Sequence, residues 1–196
     1  MTRWTFRPGE ICLADRYYGV ARSLGVLFAG LASFVIRIGW QNLPLQNRDG
    51  TLFDLIAWLR VQSTDPAATP AQAWVWVQTP QGRFPLRLIT RAIPPDKAMR
   101  KRVNLRTQAK QQKRQLDERS LLAAGFVMVV SNLPEPQWSA TEILDLYRLR
   151  WQVELFFKRL KGILQVDHLR THDPELAQVY LLAKVLAALL IGEIQF

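Results

Sequence analysis

The chain is poor in the residues that metal clusters and disulfides require. Of 196 residues one is cysteine, Cys12, and two are histidine, His168 and His172. A single cysteine excludes an internal disulfide and a thiolate zinc cluster, and it suits a reducing cytosol. The two histidines are too few, and too near the chain's end, for a histidine metal site. No apolar run ending in small residues follows Arg3 and Arg7, so no secretion signal is expected. The one long apolar stretch, Leu176 to Ile194, is interrupted by Gln178, Lys184 and Glu193, which favours a buried helix over a membrane span. No internal repeat is present. Acidic residues are missing from one whole segment: none lies between Lys97 and Arg114.

What remains is basic and apolar. Lys and Arg number 26 against 16 Asp and Glu, a net charge of +10, and 49% of residues are hydrophobic. That apolar content excludes a mostly disordered chain, and the charge points to a polyanionic partner. Ile11 to Ala14 is a short buried strand ending at Asp15. Arg16 to Leu31 then looks helical, and Ser33 to Gly39 is a second strand, so the opening is β-α-β. From Gln41 to about Ile93 the texture is β-rich. A short helix is expected over Thr51 to Leu59, and a hairpin around Pro80-Gln81-Gly82. The organisation expected is therefore 1–40, a strand–helix–strand piece of a core; 41–95, a β-rich insertion; and 96–196, a basic helix, a strand at Phe126 to Leu133 and the closing helices.

Asp96 to Ala123 is expected to be one long helix. Its cations, among them Lys101, Arg102 and Arg106, form either an ordinary solvated face or a surface that grips phosphate. Ser139-Ala140-Thr141-Glu142 has the spacing of a capping box, which starts a helix expected to run to about Lys161. Asp173-Pro174-Glu175 caps the last one. On the Ser139 helix, at about 100° per residue, Tyr147, Arg150, Glu154 and Lys161 fall in a strip roughly 60° wide. Lys158 lies at its edge and apolar residues fill most of the remaining circumference. The ordinary reading is an Arg150–Glu154 ion pair. The chemical reading is a carboxylate for a hard cation, set among cations for phosphate. Asp15, at a strand end, is the best second carboxylate, or else a helix cap.

Tyr147-x2-Arg150-x3-Glu154-x6-Lys161 resembles the YREK signature of DDE transposases of the IS-four type, and "LADRYYG" resembles the segment around that family's second catalytic aspartate. The resemblance implies an α/β, RNase H-like core with a β-rich insertion between the second Asp and the Glu. It implies Asp15 and Glu154 as catalytic and metal-ligating residues for two Mg²⁺ or Mn²⁺ ions. By this resemblance Tyr147, Arg150 and Lys161 would contact DNA; the strip's edge adds Lys158 and the basic run adds Lys101, Arg102 and Arg106 as expected DNA contacts. The implied function is transposition by metal-dependent phosphodiester cleavage and strand transfer, in the bacterial cytoplasm at the nucleoid. The partners would be double-stranded transposon ends and a full-length or second transposase copy, with no membrane. The family's first aspartate has no counterpart before Asp15. The expectation is thus an N-terminally truncated core with the first strands missing and an open strand edge, inactive alone. The alternative is a catalytically inactive DNA-binding remnant.

Overall fold

The structure, a computed structural model, describes residues 6, 7, 9–164, 171 and 173–194. His168, His172 and the Asp167 region lie outside these. The chain divides into two compact units, residues 1–147 and 148–196.

The first unit is organised by one sheet of six strands, ordered β1-β2-β6-β5-β4-β3. These are β1 (Ile11–Ala14), β2 (Ser33–Arg37), β3 (Leu45–Gln46), β4 (Ala71–Thr79), β5 (Gly82–Ala92) and β6 (Phe126–Ser131). β1 and β2 run parallel, joined through α1 (Ala21–Ala29), and every other neighbouring pair is antiparallel. The fold class is thus mixed α/β. The strands of the 41–95 stretch continue the same sheet, because β5 pairs directly with β6 from Arg87↔Ser131 to Ala92↔Phe126. The β4–β5 hairpin closes through Pro80-Gln81, with Gly82 at φ 136°, a conformation only glycine adopts readily.

Strand alternation splits the core into two faces. Phe34, Ile36, Leu88, Met128 and Val130 join Leu24 and Leu27 of α1 on one side, with α2 (Leu55–Arg60) contributing Leu55, Ile56 and Leu59. Val35, Ile89 and Val129 face the other way, against Ile143, Leu144 and Tyr147 of α5 (Ala140–Arg148). The outermost strands are β1 and β3. Among the described residues nothing pairs with the free edge of β1, and three of its four residues are only half-buried. A bare edge of this kind is a template for another strand.

Four helices depart from the expected bounds; the one expected over Thr51 to Leu59 is α2, which starts only at Leu55, capped by Asp54. Residues 15–20 are turns: Asp15 Oδ1 accepts from Tyr17 N at 2.9 Å, and its carbonyl accepts from Tyr18 N, so α1 starts only at Ala21. The long basic helix is two pieces, α3 (Pro95–Gln111) and α4 (Glu118–Ala123). α3 starts ahead of Asp96, which sits in its first turn and does not cap it. Past Ala109 it has no apolar side chain to bury; Lys113 turns to φ 50°, and Asp117 caps α4 by accepting from Arg119 N. The Ser139 helix is interrupted at Leu149, between α5 and α6 (Arg150–Leu164).

The second unit consists of α6 and α7 (Pro174–Ile194), packed on each other. Asp173 caps α7 by accepting from Glu175 N and Leu176 N. The expectation of a buried last helix is corrected here: Leu176, Val179, Leu182, Leu186, Leu189 and Leu190 are all exposed. No helix among the described residues is long and apolar enough to cross a membrane.

Arg87, on β5, is 1% exposed and ties the β6–α5 connection to the sheet. Its guanidinium donates to the carbonyls of Leu133 (3.2 Å) and Trp138 (2.7 Å) and to Gln72 Oε1 (2.7 Å). Gln72 and Trp74 in turn donate to the Glu135 carboxylate. Replacing Arg87 by Ala strands these acceptors in an apolar interior. Arg87→Ala should destabilise the chain by about 3 kcal/mol in urea unfolding; an unchanged midpoint would show that the clamp is dispensable.

Candidate carboxylate site and nucleic-acid interface

Parallel pairing brings the carboxyl ends of β1 and β2 to the same edge of the sheet, the place where open α/β sheets put functional groups. Ala14 pairs with Ile36, so Asp15 and Arg37 are the next residues along. Asp15 is exposed, its carboxylate engaged by the Tyr17 amide in an Asx turn. That turn sits tightly on β2. A Cβ on Gly19 would lie 2.6 Å from the Arg37 carbonyl oxygen, so only glycine lets the two backbones approach.

The other carboxylate lies in the second unit. Arg150 Nη1 donates to Glu154 Oε1 at 2.5 Å, the i,i+4 pair that the spacing implied. Both side chains are half-buried, whereas Lys158 and Lys161 on the same helix are exposed. Residues 154, 158 and 161 keep the helical phase that puts them on one side of α6. Tyr147 lies outside α6. It belongs to α5, across the interruption at Leu149, and is buried against Ile143, Leu144 and Val35. The strip drawn on one unbroken helix therefore divides into a core tyrosine and an α6 group.

The start of α5 is the capping box read from the sequence. Ser139 Oγ accepts from Glu142 N at 3.2 Å, while Ser139 N donates back to Glu142 Oε2 at 2.8 Å. Its hydroxyl also donates to that carboxylate, and these bonds hold the Glu142 carboxyl below the usual range.

The basic helix sorts into faces that its charge run did not reveal. Ala98, Lys101, Arg102, Leu105 and Ala109 make its inward side, at i, i+3, i+4, i+7 and i+11, and Arg106 is on the exposed side. Arg102 is turned to α4, where its Nε donates to the Leu121 carbonyl at 3.0 Å. Lys101 is half-buried, and its proton affinity is lowered first by burial, then by Arg37, Arg16 and Lys97. Sequence reasoning did not single out Arg16, Arg37 or Arg87. Parallel strand ends were the available signal for the first two, and a lone cation inside an apolar β run was the signal for the third.

A hard divalent cation would suit carboxylate oxygens at Asp15 and Glu154. They are one oxygen-donor side chain in each unit, and among the described residues no three His, Cys, Asp or Glu side chains come together. The donor chemistry fits such an ion, and the described residues alone do not complete a multi-ligand centre.

The first unit is a mixed α/β domain with a carboxylate at a strand end, and a second candidate carboxylate lies on a helix of the second unit. Residues 1–190 match the family model described as the transposase DDE domain, and the chain belongs to that family. It is 34% identical, over 99% of its length, to the transposase for insertion sequence element IS421 of Escherichia coli, of which it spans 53%. It is 23% identical over 98% of its length to the transposases for IS231F and IS231C of Bacillus thuringiensis, subspecies israelensis and berliner, spanning 43% of each. The chain thus spans about half the length of these curated relatives.

Ser139→Ala should cost about 1 kcal/mol of stability at neutral pH. Glu142 has a lowered folded pKa, so its contribution is complete above the ordinary glutamate value of about 4.3 and is lost as pH falls through the folded value. The Tm gap between wild type and Ser139→Ala should therefore narrow as pH drops below that range; a gap independent of pH would contradict the box's role.

Proposed function

We propose that this chain is the part of an insertion-sequence transposase that carries the second aspartate and the glutamate of the active site. On this reading β1, α1, β2 and β6, with α5 and α6, belong to an RNase H-like core. The strands between residues 41 and 95 are its β-rich insertion, and 96–196 return to the core. The observation that carries the proposal is Asp15 at the carboxyl end of the parallel β1–β2 pair, in a chain matched by the transposase family model over residues 1–190. Asp15 and Glu154 would hold Mg²⁺ or Mn²⁺, which when bound lowers the pKa of water and steadies attacking and leaving oxygens of a phosphodiester.

The chain's own residues do the rest. The Tyr17 amide fixes one Asp15 oxygen, and Arg150 orients the Glu154 carboxylate. Lys158 and Lys161 extend from α6 towards the phosphates of a transposon end, and Arg106 does so from α3. Arg150 joins them once DNA competes for its guanidinium. Tyr147, packed in the core, anchors the segment from which α6 departs. The partners proposed are double-stranded transposon ends and a further transposase copy, and the setting is the bacterial cytoplasm.

A second reading, a DNA-binding chain without catalysis, is favoured by one observation: the described residues bring no third metal-ligating side chain to either carboxylate. The two readings separate in a cell-based transposition assay with the parent element. Under the first, Asp15→Asn or Glu154→Gln should each lower transposition by roughly 10⁴-fold while DNA binding persists. Transposition at the wild-type frequency in both variants would leave only the second.

A further inference from the structure

Four cations from three different elements converge at the edge that carries Asp15. Arg16 follows β1, Arg37 ends β2, and Lys97 and Lys101 lie one turn apart on α3. Arg37, Arg16 and Lys97 all act on the Lys101 ammonium, in that order of strength, and all in the direction of repulsion. Arg37 and Lys101 are half-buried. Among the described residues none of the four forms an ion pair with a carboxylate. Gathering like charges and partly desolvating them is unfavourable in the free protein.

The arrangement is built in by the backbone. Gly19 lets the turn after Asp15 sit on the Arg37 carbonyl, which brings Arg16 and Arg37 to one level. Gly39 clears room for the Arg16 side chain: a Cβ there would meet Arg16 Cδ at 3.1 Å and the Asn42 amide at 3.4 Å. The Arg16 stem thus passes beside the Gly39 backbone while its residue stays exposed. Ala98 and Ala109, the buried small residues of α3, lie on the same inward side of that helix as the half-buried Lys101.

We propose that Arg16, Arg37, Lys97 and Lys101 form a binding site for backbone phosphates of duplex DNA beside Asp15. The inference deepens the transposase reading and rests on it. It assigns the phosphate contact to the inward first turns of α3 and to two strand ends, where the charge run had suggested the length of the helix. A DNA strand crossing this edge supplies the negative charge that the protein withholds, and mutual repulsion among the cations is relieved on binding. The site reads no bases, so affinity should depend on salt and not on sequence.

The test is fluorescence anisotropy of the 196-residue chain on a labelled duplex, across a salt series. Two variants carry the same loss of charge: Arg16, Arg37, Lys97 and Lys101 all changed to Gln, and Arg48, Lys110, Lys113 and Arg114 all changed to Gln. The cluster variant should bind at least about tenfold more weakly, with the log K against log salt slope reduced by roughly 3, and the distant variant should lose far less. If the cluster variant fails to melt cooperatively, the exposed pair Arg16→Gln/Lys97→Gln takes its place, with a slope reduction of roughly 2 expected. Equal losses in the two charge-matched variants would overturn the site while leaving the DNA-binding reading intact. Failure of the wild-type chain to bind duplex at low salt would overturn both.

Discussion

The parallel pairing of β1 with β2 is the constraint on which the rest depends. Two strands that run the same way deliver their carboxyl ends to one edge, and the α1 crossover between them covers the face it crosses. With Ala14 beside Ile36, Asp15 and Arg37 become neighbours although 22 positions separate them in sequence. An antiparallel pair would send them to opposite ends of the sheet. Gly19 tightens the arrangement by removing the side chain that would otherwise strike the Arg37 carbonyl.

The opposite face is organised by a second device. The α5 face of the sheet carries the buried Arg87, whose guanidinium gathers two loop carbonyls and Gln72. Buried cations are tolerated only when most of their hydrogen-bonding capacity is met, and here two carbonyls of a short irregular connection and Gln72 accept from the two Nη groups, with Nε left unpaired. Ser131 and Asn132 bind the same connection to β2, through the Phe34 carbonyl and amide and the Ala32 carbonyl. Helix α5 thus begins from a fixed point, with its own capping box completing the entry. The chemistry assigned to the first unit then lies at strand ends, and the packing that holds the unit together lies on the two sheet faces.

Much of this could be read from residue order. The strand at Ile11 to Ala14, the hairpin at Pro80-Gln81-Gly82, the capping box at Ser139 and the cap at Asp173 each rest on a short-range rule, and each stands in the structure. What failed were extrapolations of helix length. A 100° advance per residue joined Tyr147 to Arg150 only so long as the helix was unbroken, and the interruption at Leu149 removes that condition. The same assumption made a single helix of residues 96–123, although a stretch with no apolar face has nothing to hold it against a core. Charge runs were equally silent about direction: Lys101 and Arg102 are adjacent in sequence, yet one joins a cluster of cations while the other donates to the Leu121 carbonyl. Two of the three cations that act on Lys101, Arg37 and Arg16, come from the β1–β2 edge, far away in sequence, which no local pattern reports. The two candidate carboxylates were read from a strand end, for Asp15, and from motif spacing, for Glu154, and each lies in a different unit.

Amide hydrogen exchange of the chain with and without duplex DNA tests the central claim most directly, that the strand-end edge beside Asp15 faces the phosphate backbone. The account predicts added protection in peptides covering residues 15–20, 37–42 and 97–102, with little change at 108–116. Protection concentrated in 108–116, or on the β3–β4 side of the sheet with none at 15–20, would contradict it.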